Sequence, residues 1–183
     1  MINILGICGS IRKNSYNMAL LNAASSLLPK GTELRIFDIG RLPLYNQDLE
    51  QELPEVVKEF KAEVKRADAL LIATPEYNRS IPGVLKNAID WASRPAGDNS
   101  FDGKAVATMG ASTGNIGTAL AQYHLREIFS FLNMHPLERP QVLVSNADKK
   151  IRNNVLEDDE TRKRIAELLS NLGEWANRIN TKM

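Results

Sequence analysis

Residues 4–17 place a polar loop between an apolar run and a helical pattern, an arrangement that could bind a phosphate group. A helix that starts after a strand and a polar loop presents backbone N–H groups without intrahelical partners, and the helix dipole favours an anion there. The loop adds hydroxyls at Ser10 and Ser15 and a positive charge at Arg12. A plainer interpretation is that Ser10 and Asn14 only cap the helix. This stretch by itself leaves phosphate binding and helix capping open.

Two common nucleotide-binding motifs do not fit this loop. The Walker loop needs Gly-x-x-x-x-Gly-Lys followed by Ser or Thr, and the chain has no such run. The dinucleotide fingerprint needs Gly-x-Gly-x-x-Gly, whereas Gly6 and Gly9 are followed by Arg12. A phosphate bound here would rest on N–H dipoles, which favour an anion without the help of a lysine.

Two further loops follow apolar runs later in the chain. One spans 74–83 and reads TPEYNRSIPG, and the other spans 110–117 and reads GASTGNIG. Together with the first loop they resemble the NADPH-dependent FMN reductases, a family of flavodoxin-like flavoproteins with quinone-, azo- and chromate-reducing members. The resemblance extends from about Ile4 to about Arg139, and the tail from Gln141 carries little of it. It implies FMN as the cofactor, with NADPH or NADH as the hydride donor.

The loops also predict which residues hold FMN. The first loop is expected to cradle the phosphate; by resemblance, the second lies along the isoalloxazine ring, where Tyr77 offers a flat face. The third loop lacks bulk, which would let the ring approach the backbone closely. No side chain is expected to be catalytic, since the flavin carries the hydride chemistry. The predicted cofactor-binding residues are Ser10, Arg12, Ser15, Tyr16, Asn17, Pro75, Glu76, Tyr77, Asn78, Ser112 and Gly114.

Other chemistries fit the sequence less well. The Gly-x-Ser-x-Gly motif at 110–114 resembles a hydrolase nucleophile elbow, but His124 follows too soon for the usual order of a triad. His124 and His135 are eleven residues apart without a pattern of Cys or carboxylates, so no metal site is expected. Cys8 ends the first apolar run and is expected to be a small core residue rather than a nucleophile.

Composition narrows the possible partners and location. The 183 residues, taken as one domain from 1 to 183, carry a net charge of +1, which gives no reason to expect a nucleic acid or an anionic membrane as partner. The chain has no apolar run that approaches a membrane span and no signal-peptide pattern at its start. Its single cysteine excludes an intramolecular disulfide, so we expect a cytoplasmic protein.

Alternating apolar runs and helical patterns predict a doubly wound parallel α/β sheet of five strands, with helices on both faces. The flavodoxin resemblance implies the strand order 2-1-3-4-5. Right-handed crossovers would bring the three loops to one edge of that sheet. The predicted strands are 2–8, 32–37, 67–73, 104–109 and 141–144, and the predicted helices are 15–28, one starting at 54, 82–93, 116–132 and 157–179.

Three further residues have open interpretations. Tyr45 lies in the long connection 38–54, where it could wall a ligand or cover the core, and we favour covering. Arg79 lies in the second loop and Lys86 follows shortly after it, and both could meet the 2′-phosphate of NADPH or simply be solvated. The sequence therefore leaves NADPH and NADH both open.

The leading hypothesis is an enzyme that passes hydride from NAD(P)H through FMN to a quinone, azo compound or similar small acceptor. The alternatives are a flavodoxin-type electron carrier and a flavin-binding module without turnover. We also expect a homodimer or homotetramer, as relatives in the resembling family associate. The fourth predicted helix has one apolar side for the sheet and a second for a partner. The first side comprises Leu125, Ile128, Phe129 and Leu132, and the second comprises Ile116, Ala119, Leu120 and Tyr123.

Overall fold

The computed structural model describes residues 1–181, and its centre is a parallel sheet. The strands are β1 (Ile2–Cys8), β2 (Thr32–Phe37), β3 (Ala69–Ala73), β4 (Ala105–Ala111), β5 (His135–Pro136) and β6 (Val142–Val144). Their order is β2-β1-β3-β4, and both β5 and β6 pair with the outer side of β4. The predicted flavodoxin-like fold and its strand order are confirmed.

The fifth strand position differs from the prediction because two short strands occupy it. β5 pairs with the start of β4 and β6 pairs with its end, and the residues between them leave the ladder. Pro136 and Pro140 fall in this region, and proline has no N–H to donate to a neighbouring strand. The prediction of a single strand over 141–144 therefore missed β5.

Six helices cover the two faces of the sheet. They are α1 (Tyr16–Ser25), α2 (Glu55–Arg66), α3 (Gly83–Ala92), α4 (Ala119–Phe131), α5 (Ala147–Lys150) and α6 (Asp159–Asn180). α1 and α6 share one buried cluster, whereas α2, α3 and α4 share the other. Alternate strand residues point to opposite clusters: Ile4 faces α1 and α6, and Leu5 faces the other three helices.

A short hairpin between α5 and α6 was not predicted. Its strands β7 (Ile151–Arg152) and β8 (Val155–Leu156) are joined by Asn153 and Asn154, whose φ angles are +49° and +63°. Two consecutive residues with positive φ form the tight turn that suits a two-residue hairpin. The hairpin buries Ile151 and Leu156 in the cluster beneath α1. Asn-Asn lacks the glycine that usually marks such turns, so this pattern indicates a hairpin only weakly.

The short helix α5 was not predicted, and the ends of other helices also differ from the prediction. α1 ends at Ser25 rather than at the predicted residue 28, and α4 begins at Ala119 rather than at 116. Gly117 has a φ of +61°, which is incompatible with a regular helix at that point. Across residues 1–181, no helix combines the length and apolar character needed to cross a bilayer.

Candidate functional site

The three predicted loops leave β1, β3 and β4 at the same edge of the sheet. Cys8 pairs with Ala73, and Ala73 pairs with Met109, so the three strands end side by side. The ladder continues one residue into the first two loops. The Gly9 N–H donates to the Ala73 carbonyl at 2.8 Å, and the Thr74 N–H donates to the Met109 carbonyl at 3.0 Å. The structure therefore brings the predicted loops to one crevice.

The first loop ends in a helix start that can accept an anion. The Ser15 hydroxyl caps α1 by accepting from the Met18 N–H at 3.3 Å. The N–H groups of Tyr16 and Asn17 belong to the first turn, where the helix itself supplies no acceptor. Arg12, in the same loop four residues before Tyr16, is exposed and carries a full positive charge. Capping by Ser15 thus leaves these two N–H groups available for an anion.

The cap differs from the one considered in the plainer interpretation. Ser15 caps the helix, whereas the Ser10 hydroxyl accepts from the Arg12 N–H at 3.4 Å. The Asn14 side-chain oxygen accepts from Asn154 at 3.2 Å, which links the loop to the β7–β8 hairpin. The interpretation of Ser10 and Asn14 as helix caps is therefore wrong, and the hairpin flanks this loop.

Asn17 ties the first loop to the third. Its side chain is buried, and its amide both donates to the Ala111 carbonyl at 3.1 Å and accepts from the Ala111 N–H at 2.9 Å. Ala111 is the last residue of β4, directly before the third loop. Only the backbone N–H of Asn17 remains for a ligand, so its side chain positions the loops.

The second loop contains a tight turn that presents Tyr77 at the surface. Tyr77 and Ser80 exchange two backbone hydrogen bonds of 3.0 Å each. Asn78 and Arg79 between them have φ angles of +51° and +62°, the signature of a type I′ turn. Pro75 is buried, while the Tyr77 side chain keeps 47% of its surface exposed. An aromatic face thus stands free at the crevice.

Two side chains anchor this loop to α4. One Glu76 carboxylate oxygen accepts from the N–H groups of Leu120 at 2.9 Å and Ala121 at 3.1 Å. A carboxylate at a helix N-terminus is stabilised by the unpaired N–H groups and the helix dipole. The Ser80 hydroxyl lies 3.1 Å from His124 Nδ1. Nothing in the sequence pattern indicated either contact, because each joins residues 44 positions apart.

The third loop uses its serine internally. The Ser112 hydroxyl donates to the Gly117 carbonyl at 2.7 Å and accepts from the Gly114 N–H at 3.2 Å. A Cβ added at Gly114 would meet only this hydroxyl, at 3.6 Å, so the protein itself does not require glycine there. The small residue leaves room for a ligand to approach the backbone.

Gly110 is the glycine that the packing does require. A Cβ at this position would lie 1.9 Å from the Thr118 hydroxyl oxygen and 2.4 Å from the Thr74 carbonyl oxygen. Thr74 opens the second loop, and Thr118 closes the third. The absence of a side chain at Gly110 therefore sets how closely these two loops approach each other.

The structure also places four residues that lie outside the predicted cofactor-binding set. Burial raises the pKa of the Cys8 thiol, which agrees with a core residue and disfavours the thiolate. Tyr45 packs edge-on against Trp91 at 5.0 Å between ring centroids, so its interpretation as a cover for the core is confirmed. Lys86 pairs with Asp90 at 2.7 Å, whereas Arg79 is exposed on the second loop.

The two histidines lie far apart in the fold. Within residues 1–181, no group of three or more His, Cys, Asp or Glu side chains is placed to hold a metal ion. His124 contacts Ser80, and His135 lies in β5 beside the first residue of β4. His124 therefore lies toward the carboxyl ends of the strands, and His135 lies beside the amino end of β4.

A parallel sheet in this order, with its switch point between β1 and β3, defines a flavodoxin-like fold, a class in which ligands bind outside the carboxyl ends of the strands at that point. The sequence profile described as NADPH-dependent FMN reductase matches residues 2–149. The chain belongs to this family. The profile extends about ten residues past the predicted end of the resemblance at Arg139 and stops just before the β7–β8 hairpin.

Individual relatives agree with this assignment. The chain is 48% identical over 180 residues to an NAD(P)H-dependent FMN reductase of Pseudomonas aeruginosa, with 97% of each chain covered. It is 42% identical over 175 residues to a 2-hydroxy-1,4-benzoquinone reductase of a Burkholderia species, with 95% of this chain and 96% of the relative covered. The NAD(P)H:(acceptor) oxidoreductase FerB of Paracoccus denitrificans has a TM-score of 0.89 at 35% identity, over 97% of this chain and 98% of FerB. These three are named as reductases or oxidoreductases, and the predicted enzyme class is confirmed.

Proposed function

We propose that the protein is an NAD(P)H-dependent flavin oxidoreductase that uses FMN to reduce a quinone, an azo compound or a similar small acceptor. The observation that carries this proposal is that a helix start with unpaired N–H groups and the exposed face of Tyr77 belong to loops that leave neighbouring strands at the same edge of the sheet. FMN, when bound, supplies the ring that accepts hydride from NAD(P)H and returns reducing equivalents to the acceptor.

The donor groups of the crevice fit the phosphate of FMN. The N–H groups of Tyr16 and Asn17 and the Arg12 guanidinium can bind a dianion together. Ser10 and Ser15 stand in the same loop, although Ser15 already accepts from Met18. A loop of this kind favours a phosphorylated flavin over riboflavin, which lacks the phosphate.

The other two loops fit the ring of FMN. Tyr77 supplies the flat face, Asn78 lies beside it in the same turn, and Gly114 lets the ring approach the backbone. Pro75, Glu76 and Ser112 shape these loops from within. We therefore keep the full predicted set, with the Asn17, Glu76 and Ser112 side chains placing the loops that hold the cofactor. The chain contributes binding and orientation, and no side chain here is assigned a proton-transfer role.

The spectrum of the purified protein tests this function. We expect FMN in a one-to-one ratio with the chain, loss of its visible absorption on anaerobic addition of NADPH, and recovery on addition of menadione. Initial rates at several concentrations of both substrates should give parallel double-reciprocal lines, because one crevice serves donor and acceptor in turn. A protein that binds FMN but does not oxidise NADPH would support the electron carrier instead.

We further propose a homodimer or homotetramer with α4 at the interface. A groove of about 570 Å³ runs between α3 and α4, away from the three loops, and its apolar lining includes Ile89, Ile128 and Phe131. Phe131 is 88% exposed and Tyr123 is 63% exposed, on the outer side of α4. Single chains seldom leave such aromatic side chains uncovered together. Lys86, Asp90, Arg94 and Glu127 add charges of both signs to the groove, which suits a self-complementary contact.

The structure revises which side chains form this face. Leu125, Phe129 and Leu132 are buried against the sheet side as predicted, but Ile128 is only half-buried and lines the groove. Ile116 is 55% exposed and lies in the third loop rather than on α4. Ala119 and Leu120 are half-buried. The exposed aromatic side chains of α4 are therefore Tyr123, which belongs to the predicted face, and Phe131, which does not.

We also propose that residues 1–183 form one domain and that the protein works in the cytoplasm. Both buried clusters share the same sheet, which supports a single folding unit. Cys8 is the chain's one cysteine and is buried as a free thiol, as expected of a protein from a reducing compartment. Limited proteolysis and cell fractionation would test these two points.

A further inference from the structure

The turn that presents Tyr77 is held in an uncommon backbone conformation. Asn78 and Arg79 both have positive φ, and arginine, unlike glycine, adopts this region only rarely. Such residues persist where the surrounding structure determines them, and they concentrate at functional sites. The Tyr77–Ser80 turn therefore needs external support to keep Tyr77 in one place.

That support comes from α4, through one contact on each side of Tyr77. Before it, Glu76 accepts from the N–H groups of Leu120 and Ala121. After it, the Ser80 hydroxyl lies 3.1 Å from His124 Nδ1. The first contact is to backbone N–H groups in the first turn of α4, and the second is to a side chain about one turn later in the same helix.

The two contacts differ in what they do for the fold. Glu76 satisfies backbone N–H groups at a helix start, where unpaired donors are costly. The Ser80–His124 contact joins two side chains, while the backbone of Ser80 already closes the turn with Tyr77. This second contact is not needed to form the turn, so its effect is to fix the orientation of the turn against α4.

We propose that His124 is a positioning residue, which holds the Tyr77–Ser80 turn against α4 through the Ser80 hydroxyl and so sets the placement of Tyr77 for flat substrates. The inference rests on the proposed function for the identity of those substrates. The phosphate cradle lies on another loop, so His124 is expected to affect the acceptor more than the affinity for FMN.

The variants for the test are His124→Leu, which removes the imidazole, Ser80→Ala, which removes its partner, and the two combined. His124→Asn keeps a polar group close to the position of Nδ1 and should restore the contact. His135→Leu is the matched control, because the other histidine lies in β5 beside the amino end of β4, away from the three loops. The Ser80→Ala variant also keeps the test valid if His124→Leu folds poorly.

Hydrogen exchange of the apoprotein gives a readout that needs no cofactor. Exchange in a peptide over 74–82 should be faster in His124→Leu and Ser80→Ala than in the wild type, His124→Asn and His135→Leu. In the loaded enzyme the KM for menadione should rise about two- to tenfold, the range that one net hydrogen bond supports, while the FMN Kd stays within about twofold. The double variant should show no larger increase in exchange or in KM than either single variant, because both substitutions remove the same contact.

The outcomes separate the inference from the proposed function. Unchanged exchange in both single variants, or additive effects in the double variant, would overturn the role of His124. An equal loss in His135→Leu would overturn it as well. If exchange responds as expected but the wild type neither binds FMN nor oxidises NADPH, the positioning by His124 stands and the proposed function fails.

Discussion

Ser15 combines two roles that a substitution can separate. Its hydroxyl caps α1, and it stands where the phosphate of FMN is proposed to bind. Aspartate and asparagine are both good helix caps, but only aspartate carries a negative charge. The cap and the phosphate site therefore respond differently to these two residues.

We predict that Ser15→Asp weakens FMN binding by at least about tenfold, or roughly 1.4 kcal/mol, because a carboxylate would face the phosphate dianion. Riboflavin binding should change little, and the thermal midpoint should be kept because the cap remains. Fluorescence titration with both flavins measures the difference. Ser15→Asn is the neutral control, and an equal loss of both flavins in Ser15→Asp would contradict a phosphate cradle at this loop.

Gly110 offers a second prediction at the scale of one residue. Gly110→Ala would place a methyl group 1.9 Å from the Thr118 hydroxyl and 2.4 Å from the Thr74 carbonyl. We expect a loss of about 1–3 kcal/mol in the free energy of unfolding, as in other overpacked sites. Gly173→Ala in α6 is the control: its Cβ would meet nothing within 4 Å, and helix propensity should add about 0.5–1 kcal/mol. Urea denaturation measures both, and equal stability of the two variants would contradict the close approach.

At the scale of elements, a buried lysine joins α2 to the end of α3. The Lys61 ammonium donates to the carbonyl of Ala92 at 3.2 Å and of Asp98 at 2.8 Å, and also to the carbonyl of Arg94. Its side chain is only 5% exposed, and burial lowers its pKa, with Asp98 acting in the opposite direction. The ammonium satisfies the Arg94 and Asp98 carbonyls of the loop after α3 and adds a second hydrogen bond to the Ala92 carbonyl, which also accepts from the Ser100 N–H at 2.9 Å.

Lys61→Met keeps the aliphatic stem but removes the donor to the Arg94 and Asp98 carbonyls, while the Ala92 carbonyl still accepts from the Ser100 N–H. We predict a loss of about 2–4 kcal/mol in the free energy of unfolding, since each unsatisfied buried acceptor is costly. Lys65→Met is the matched control: Lys65 is 53% exposed and pairs with Asp98 at 2.6 Å, so its loss should cost no more than about 1 kcal/mol. A Lys61→Met protein as stable as Lys65→Met in urea would show that the buried contacts contribute little.

At the scale of the whole molecule, the outer side of α4 serves two purposes. Its first turn holds Glu76 of the second loop, and its later turns expose Tyr123 and Phe131. A variant that tests association must therefore spare the first turn. Leu120 is unsuitable for this purpose because its N–H binds Glu76 and its side chain is half-buried.

We predict that Tyr123→Glu combined with Phe131→Glu converts the proposed oligomer to monomers. Both side chains are exposed in the single chain, so the added charges should leave its fold intact while opposing burial in an interface. Sizing with light scattering at micromolar concentration gives the mass, and circular dichroism checks the fold. Ser130→Glu, also at an exposed position of α4, is a single-charge comparison. A wild-type protein that is monomeric at this concentration would refute the proposal.

The sequence by itself determined the fold class and the three loops. Fully apolar runs such as 69–73 predict strands covered on both faces, and alternation with helical patterns brings their carboxyl ends to one edge. The loops carry enough specific residues to resemble one family, and that resemblance is confirmed. These features follow from local patterns, which a single chain displays directly.

The tertiary structure decided which atoms of the predicted residues remain available. Asn17 and Glu76 read as ligand contacts in the sequence, yet their side chains bind the backbone of β4 and α4. The Ser80–His124 contact joins residues that are far apart in the chain. The lack of space for a side chain at Gly110 likewise depends on how closely Thr74 and Thr118 approach it. Residue type and spacing state what a group can bind, but hydrogen bonds across distant segments depend on packing. Only the folded chain could therefore show which groups position the loops and which face the crevice.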